Sequence, residues 1–108
     1  MNSMYDFYAN PPKTKQEIRE WLKSWLQETG AESPIVEKTG ERFIQTHGFS
    51  RAFYLHTVFR NIDTNEFVWW VYSKDDNFSM DSFPEERYNS FDDMLTAITN
   101  DYYILWNK

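Results

Sequence analysis

The segment at residues 66–72, with the sequence EFVWWVY, limits the possible folds more than any other part of the chain. Successive side chains of a β-strand point to opposite faces of a sheet, and here both sets are apolar. One set is Phe67, Trp69 and Val71, and the other is Val68, Trp70 and Tyr72. Such a strand needs cover on both faces, so we expect it to be the central strand of a sheet.

A helix is predicted near the N-terminus, because Thr14 and Glu17 have the spacing of a capping box. One apolar stripe follows at helical spacing: Ile18, Trp21, Leu22, Trp25 and Leu26. Gly30 suits the left-handed residue that follows a helix, so we expect the helix to end shortly before it. Residues 1–12 end in two prolines and predict an extended N-terminal arm.

Three further β-patterns precede residues 66–72, and a polar segment follows them. Strands are predicted at residues 35–38, 42–47 and 51–60. Gly48 would end the second of these strands or form a bulge within it. Residues 73–89 are polar and acidic, which predicts a long loop.

The C-terminal part of the chain predicts a second helix. Ser90 is a good N-cap, and Asp93 is its capping partner three residues later. The apolar stripe of this helix is Phe91, Met94, Leu95 and Ile98. The conformation of residues 101–108 stays open, because Tyr102 continues the stripe while the composition favours a strand. We expect the helix to continue after a break near Asn100.

This order of elements predicts one α+β domain over residues 1–108. We expect a three- to four-stranded antiparallel sheet flanked by an N-terminal helix and one or two C-terminal helices. The chain contains no cysteine, which excludes disulfides, thiolate metal ligands and cysteine nucleophiles. No apolar run is long enough to cross a membrane, and no signal peptide is recognisable. We therefore expect a soluble, cytoplasmic protein.

No motif for enzymatic chemistry stands out. With three glycines in the chain, a loop that cradles phosphate is nearly excluded. His47 and His56 could hold zinc together with a carboxylate if their strands pair, although two unconnected histidines are the simpler interpretation. Three acidic doublets would serve glycoside hydrolysis only in a concave pocket. We expect solvated or capping acids instead, with no catalytic residue, no cofactor and no metal.

Charge is distributed unevenly along the chain. Residues 1–60 carry a net charge of +1 and residues 61–101 carry −8, within a total of −6. An acidic segment repels nucleic acid and attracts basic surfaces. Its candidate partner-binding residues are all carboxylates: Asp75, Asp76, Asp81, Glu85, Glu86, Asp92 and Asp93. They could imitate the phosphates of a short duplex, or they could form a solvated face that keeps the protein soluble.

A basic strip indicates a different kind of partner. Lys15, Arg19 and Lys23 are spaced four residues apart along one edge of the first helix, with Lys13 beside them. The order of helices and strands resembles the double-stranded-RNA-binding domain, whose first helix contacts RNA. This chain has acids where that family has basic residues: Glu85, Glu86, Asp92 and Asp93. Direct nucleic-acid binding through the strip is therefore an alternative and not the leading hypothesis.

An acidic stretch runs into an amphipathic segment at residues 85–94, with the sequence EERYNSFDDM. Together with the chain's size and its order of elements, this pattern resembles the small acidic anti-CRISPR proteins of phages and mobile elements. Members of that family inhibit type II-A Cas9 by occupying its PAM-reading surface or by preventing guide or target loading. The resemblance implies action in a bacterial host cell. It also implies contacts between Cas9 arginines and acids of this chain, chiefly Asp75, Asp76, Asp81, Glu85 and Glu86.

The leading functional hypothesis is thus a non-enzymatic inhibitor. It would bind a bacterial nucleic-acid enzyme, a Cas9-type CRISPR nuclease above all, through an acidic surface that blocks nucleic-acid loading. The alternatives are a mobile-element adaptor or regulator that binds a protein through exposed aromatic residues, and a small nucleic-acid binder that uses the basic strip. No membrane partner is expected. Rising salt should weaken an electrostatic interface strongly and an aromatic one hardly at all.

Overall fold

The computed structural model describes residues 11–30, 33–75 and 79–106. These residues form two α-helices, α1 (Lys15–Trp25) and α2 (Phe91–Trp106). They also form five β-strands: β1 (Gln27–Glu28), β2 (Ile35–Lys38), β3 (Glu41–Arg51), β4 (Tyr54–Asn61) and β5 (Phe67–Ser73). A short 3-10 helix, Met80–Ser82, lies between β5 and α2. The predicted α+β fold with an antiparallel sheet and flanking helices is therefore confirmed.

The sheet is antiparallel throughout, with the order β1-β3-β4-β5 and with β2 also on β3. Since β4 pairs along one side of β3, both β1 and β2 lie on the other side. Gln27 pairs with Gly48, whereas Ile35 pairs with Ile44 further along β3. The two short strands thus act as one interrupted edge strand, and the sheet is four strands wide.

A β-bulge in β3 decides which of its side chains face the helices. The register with β4 shifts between Gln45 and His47, so Thr46 is the extra residue. A bulge reverses the alternation of faces along a strand. Phe43, before the bulge, packs on the face away from the helices, whereas Phe49, after it, packs against the helical layer. The bulge therefore allows one long strand to contribute to both apolar layers.

Both helices pack on one face of the sheet. The predicted stripe of α1 is buried along its whole length, and Ile18 and Leu22 have no exposed surface. Met94, Leu95 and Ile98 of α2 complete this layer against Val58 and Trp69 of the sheet. Burial of such side chains contributes about 1.5–3 kcal/mol each relative to exposure. The helical layer therefore holds α1 and α2 side by side over β4 and β5.

The segment after β5 covers the opposite face of the sheet. The Phe83 ring lies 4.8 Å from that of Phe43 and 5.1 Å from that of Trp70. Lys38 Nζ donates hydrogen bonds of 2.9 Å to the carbonyl oxygens of Met80 and Phe83. The predicted loop is thus fixed to the sheet by a buried aromatic side chain and by a lysine at the end of β2.

Several details differ from the sequence-based expectations. Strand β3 continues through Gly48 to Arg51 and has its bulge at Thr46, so Gly48 neither ends the strand nor forms the bulge, and β4 begins at Tyr54 and not at residue 51.

The strand with two apolar faces, β5, is mostly buried on both faces, with Val71 38% exposed, but it lies at the edge of the sheet, so the prediction of a central position is wrong. The first helix ends at Trp25, well before Gly30, because the chain turns into β1 at Gln27. The second helix continues without a break through Asn100 to Trp106. Residues 1–10 of the predicted arm lie outside the described part of the chain.

Candidate functional site

The candidate acidic residues occupy four places in the fold. Asp75 follows β5, Asp81 lies in the 3-10 helix, Glu85 and Glu86 lie in the segment that follows it, and two more acids open α2. These last two are Asp92 and Asp93. All six carboxylates are exposed. The seventh, Asp76, lies outside the described residues.

Four of these acids lie at the end of the sheet where β5 begins. Tyr88 exchanges two backbone hydrogen bonds of 2.8 and 2.9 Å with Phe67, the first residue of β5. The ring of Phe91, at the start of α2, lies 6.0 Å from that of Phe67. Glu85 and Glu86 lie two to three residues before this bridge, and Asp92 and Asp93 follow Phe91 directly. We call Glu85, Glu86, Asp92 and Asp93 the acidic end.

Asp75 does not belong to the acidic end. It lies beyond Ser73, the last residue of β5, and β5 spans seven residues. At about 3.3 Å per residue the two ends of this strand are ~20 Å apart. The structure therefore separates Asp75 from the four acids at the acidic end, although the sequence grouped them together.

The basic residue nearest to the acidic end in sequence, Arg87, is directed inward. Its Nη2 donates to Glu41 Oε2 at 2.9 Å, and its Nη1 donates to the carbonyl oxygen of Pro84 at 2.7 Å. The guanidinium also lies 4.9 Å from the centre of the Phe43 ring, and its side chain is 18% exposed. Because Glu41 already balances this charge, Arg87 does not neutralise Glu85 or Glu86.

Asp92 is the one member of the acidic end with an ion-pair partner among the described residues. It accepts a hydrogen bond from Arg19 Nη2, while Arg19 Nη1 donates to Thr96 Oγ1 at 3.0 Å. Arg19 is also the middle residue of the predicted basic strip. The two candidate surfaces therefore meet at this contact, which sequence reasoning did not foresee. Lys15 and Lys23 are exposed on α1, and Lys13 is exposed two residues before the helix begins.

Local interactions hold the acidic end in place. The backbone N–H of Asp93 donates to Ser90 Oγ at 3.0 Å, which confirms Ser90 as the N-cap of α2. Burial, the charge of Glu86, a hydrogen bond with Glu86 and the charge of Asp101 together raise the pKa of the Tyr88 hydroxyl to about 12. Burial is the largest of these causes, and the two carboxylates add to it because negative charge disfavours the phenolate. The acidic end thus combines fixed backbone with exposed negative charge.

The two histidines face the helical layer and have separate partners. His47 Nδ1 lies 2.9 Å from Thr46 Oγ1, and the ring lies 4.9 Å from that of Phe91. His56 stacks on Phe49 and its Nδ1 lies 3.2 Å from Tyr102 Oη. Burial lowers the pKa of both imidazoles, that of His56 to about 4. Across the residues described, no three histidine or carboxylate side chains come together as a metal site would require.

A second exposed surface was not predicted from the sequence. Phe53 and Tyr54, at the tip of the β3–β4 hairpin, are 74% and 51% exposed, and Ile104 and Leu105 near the end of α2 are 62% and 57% exposed. The guanidinium of Arg51 lies 5.6 Å from the ring of Trp106, which places the end of α2 beside this hairpin. The sequence predicted one strand over residues 51–60, so the position of Phe53 at a hairpin tip was missed. No glycine or proline marks this turn in the sequence.

Comparison with known proteins gives no match to a family model, to a curated protein or to a solved structure. Neither α1 nor α2 has the length and apolar character that crossing a membrane requires. The candidate site therefore has to be judged on its own geometry and charge.

Proposed function

We propose that this protein is a non-enzymatic inhibitor that binds a basic, nucleic-acid-binding surface of another protein through its acidic end. The observation that carries the proposal is the inward direction of Arg87, which leaves Glu85 and Glu86 without an ion-pair partner among the residues that the structure describes. Asp93 is likewise exposed and has no ion pair within the described ranges. Exposed, uncompensated charge of this kind steers and orients a partner of opposite sign.

The partner that we propose is a bacterial nucleic-acid enzyme, and a Cas9-type nuclease is the specific case to test. Such enzymes bind phosphates along positively charged channels and read a short PAM element with arginines. Duplex DNA presents one charge per ~1.7 Å of axis, so a few carboxylates could replace only a short stretch of phosphates. A target that reads a short element fits an acidic end of this size.

The test compares two variants with the same change in charge. In the first, Glu85→Gln, Glu86→Gln and Asp93→Asn neutralise the acidic end. In the matched control, Glu20→Gln, Glu28→Gln and Glu37→Gln remove three exposed acids that are not candidate partner-binding residues. Binding to a guide-loaded Cas9-type nuclease is measured by fluorescence anisotropy at several salt concentrations.

We expect the first variant to bind at least about tenfold more weakly and with a smaller dependence on salt. The control should bind within about twofold of wild type, because exposed charges elsewhere are screened over a Debye length of roughly 8 Å. Equal weakening in both variants would show that only the net charge matters. That result would contradict a localised binding site.

Exposed apolar residues support a second candidate function, an adaptor that binds a protein through the hairpin tip. Among the described residues, Phe53 is the most exposed of the large hydrophobic side chains, and Tyr54 follows it in the sequence. The pair Phe53→Ser and Tyr54→Ser should then abolish partner binding at any salt concentration. Ile35→Ser, a change at an exposed apolar residue of β2, should leave binding unchanged. Under the inhibitor proposal, neither variant alters the affinity for the nuclease.

Direct nucleic-acid binding through the basic strip is the third candidate from the sequence. Its middle residue, Arg19, already contacts Asp92 and Thr96, which leaves three lysines to contact phosphates. A charge pair at the centre of the strip reduces its attraction for a polyanion. Retention of the protein on duplex DNA or RNA at low salt would favour this candidate over the inhibitor.

A further inference from the structure

The outer edge of β5 carries backbone groups that have no partner in the described part of the chain. Phe67 exchanges two backbone hydrogen bonds with Tyr88 on the side away from β4. Alternate residues of an antiparallel strand direct their N–H and C=O groups to the same side, and β5 pairs regularly with β4 along its length. Trp69, Val71 and Ser73 therefore direct their backbone groups to this outer side, where the described residues provide no hydrogen-bond partner.

This open edge, residues 69–73, lacks the features that usually protect an exposed edge. Protected edges are short or bulged, or they contain proline or charged side chains. Strand β5 spans seven residues and has no bulge, no proline and no charged side chain. The opposite edge of the sheet is divided between the short strands β1 and β2, which contain Glu28, Glu37 and Lys38. The open edge is therefore the side of the sheet that suits pairing with another strand.

Both ends of the open edge are blocked, which fixes its length. At one end, Tyr88 occupies the place beside the first residue of β5. At the other end the chain turns after Ser73, since the N–H of Lys74 donates to the carbonyl oxygen of Phe53 at 2.9 Å. Strand β5 of a second copy ends at the same turn. Its own residues 69–73 therefore fit this edge in antiparallel orientation without meeting Tyr88.

We propose that two copies of this chain form a symmetric dimer by pairing their open edges. Val71 then lies opposite Val71 of the second copy, and Trp69 of each copy lies opposite Ser73 of the other. Each of these pairs exchanges two backbone hydrogen bonds, and the two sheets become one continuous sheet. The contact uses the same surface on both copies, so the assembly closes at the dimer.

Helix α2 leaves room for this pairing. Tyr102 contacts two strands, because its Oη lies 3.2 Å from His56 Nδ1 on β4 and its ring lies 6.4 Å from that of Trp69 on β5. Helix α2 therefore lies over the space between β4 and β5 and not over the open edge. Since paired strands are about 4.8 Å apart, the α2 helices of the two copies would be ~10 Å apart. This separation matches the distance of about 8–10 Å at which helices ordinarily pack.

The size and charge of the contact suit a reversible dimer. The open edge is ~17 Å long, and the sheet and the helical layer together are ~20 Å thick. A contact of this outline removes roughly 1,000 Å² of accessible surface in total, near the lower limit for specific interfaces, so we expect a micromolar Kd. Val71, now 38% exposed, would be buried at its centre. The open edge contains no charged side chain, so the strands meet without opposing like charges.

The test is sedimentation equilibrium of the full chain at concentrations from about 1 to 200 μM. Wild type should shift from the monomer mass of 13.1 kDa to twice that mass as the concentration rises. Val71→Lys places two like charges directly opposite each other and should weaken the dimer at least about tenfold. Ile35→Lys makes the same change at an exposed residue on the opposite edge of the sheet, and it should alter the Kd by less than about twofold.

A cysteine variant tests the register without a change in charge. The chain contains no cysteine, so Val71→Cys introduces a single thiol. Opposed residues of a hydrogen-bonded pair have Cα atoms ~5.5 Å apart, which is within the range of a disulfide. With oxidised glutathione as the oxidant, Val71→Cys should form a covalent dimer at least about tenfold faster than the control variant Ile35→Cys.

Several results would overturn the proposal. One is a wild-type chain that stays monomeric up to about 200 μM, which would leave the open edge to a strand of a different protein. Another is a dimer that Val71→Lys does not weaken. A third is equal rates of disulfide formation in the two cysteine variants. None of these results bears on the acidic end, which is tested with a different partner.

Discussion

The buried His56 should make the protein lose stability as the pH falls below neutrality. Its ring is 9% exposed and stacks on Phe49 at 4.5 Å, with Tyr102 Oη at 3.2 Å from Nδ1. Burial lowers the pKa of this imidazole from 6.5 to about 4, and the charge of Arg51 contributes in the same direction. At neutral pH the folded protein therefore contains a neutral His56.

The sign and the size of the effect follow from this difference in pKa. Between pH 6.5 and 4 the unfolded chain binds a proton at His56 and the folded chain does not, so acid favours unfolding. The stabilisation is complete above pH 6.5 and is lost as the pH falls towards 4. One pKa unit corresponds to about 1.4 kcal/mol, which gives a loss of roughly 3 kcal/mol over this range.

The assay is urea denaturation, followed by tryptophan fluorescence, at several pH values across this window. His56→Gln removes the titrating group, so its free energy of unfolding should fall less steeply with acid than that of wild type. The matched control is His47→Gln, which removes a histidine that is less buried. Because carboxylates also titrate near pH 4, the quantity to compare is the difference between each variant and wild type. An identical pH dependence in His56→Gln and wild type would refute the reasoning.

Three further variants test the packing and the turns by the same denaturation assay. Asn61→Ala should cost about 1–3 kcal/mol, because Asn61 Oδ1 accepts the backbone N–H groups of Asp63 and Thr64 at 2.8 and 3.0 Å; a loss below 0.5 kcal/mol (roughly the effect of an ordinary surface change) would contradict this. Gly48→Ala should change the stability by less than about 1 kcal/mol, because the atom that a Cβ there would meet at 2.8 Å is Gln45 Nε2, the far end of a flexible side chain that can move away; a loss above about 2 kcal/mol would contradict this. Leu22→Ala should cost about 2–5 kcal/mol, because Leu22 is completely buried in the helical layer, and a smaller loss would mean that the layer repacks.

The elements that the sequence predicted well are those specified by local pattern. The capping box at Thr14 and the apolar stripe after it define the start and the buried face of α1, and β2 matches its predicted bounds. Period-two alternation likewise located β5 to within one residue at each end. Spacing and caps are local signals, and they survive in the folded chain because tertiary packing agrees with them.

The features that the sequence did not predict depend on contacts between distant residues. β5 can lie at the edge of the sheet because α2 covers one of its faces and Phe83 covers the other. Its apolar side chains are therefore buried without a second neighbouring strand. The contact of Arg19 with Asp92 joins residues 73 positions apart, and Arg87 reaches Glu41 across 46 positions. No pattern within a short window encodes such pairs, although they decide which charges of the candidate site remain exposed.

The inhibitor proposal is tested most directly by competition on the partner itself. A labelled sample of this protein is bound to a guide-loaded Cas9-type nuclease, and an unlabelled duplex that carries the PAM is then added. If the acidic end occupies the nucleic-acid-binding surface, the duplex should displace the protein, and rising salt should weaken the complex. A complex that persists at saturating duplex, or the absence of any complex at low salt, would contradict the proposal.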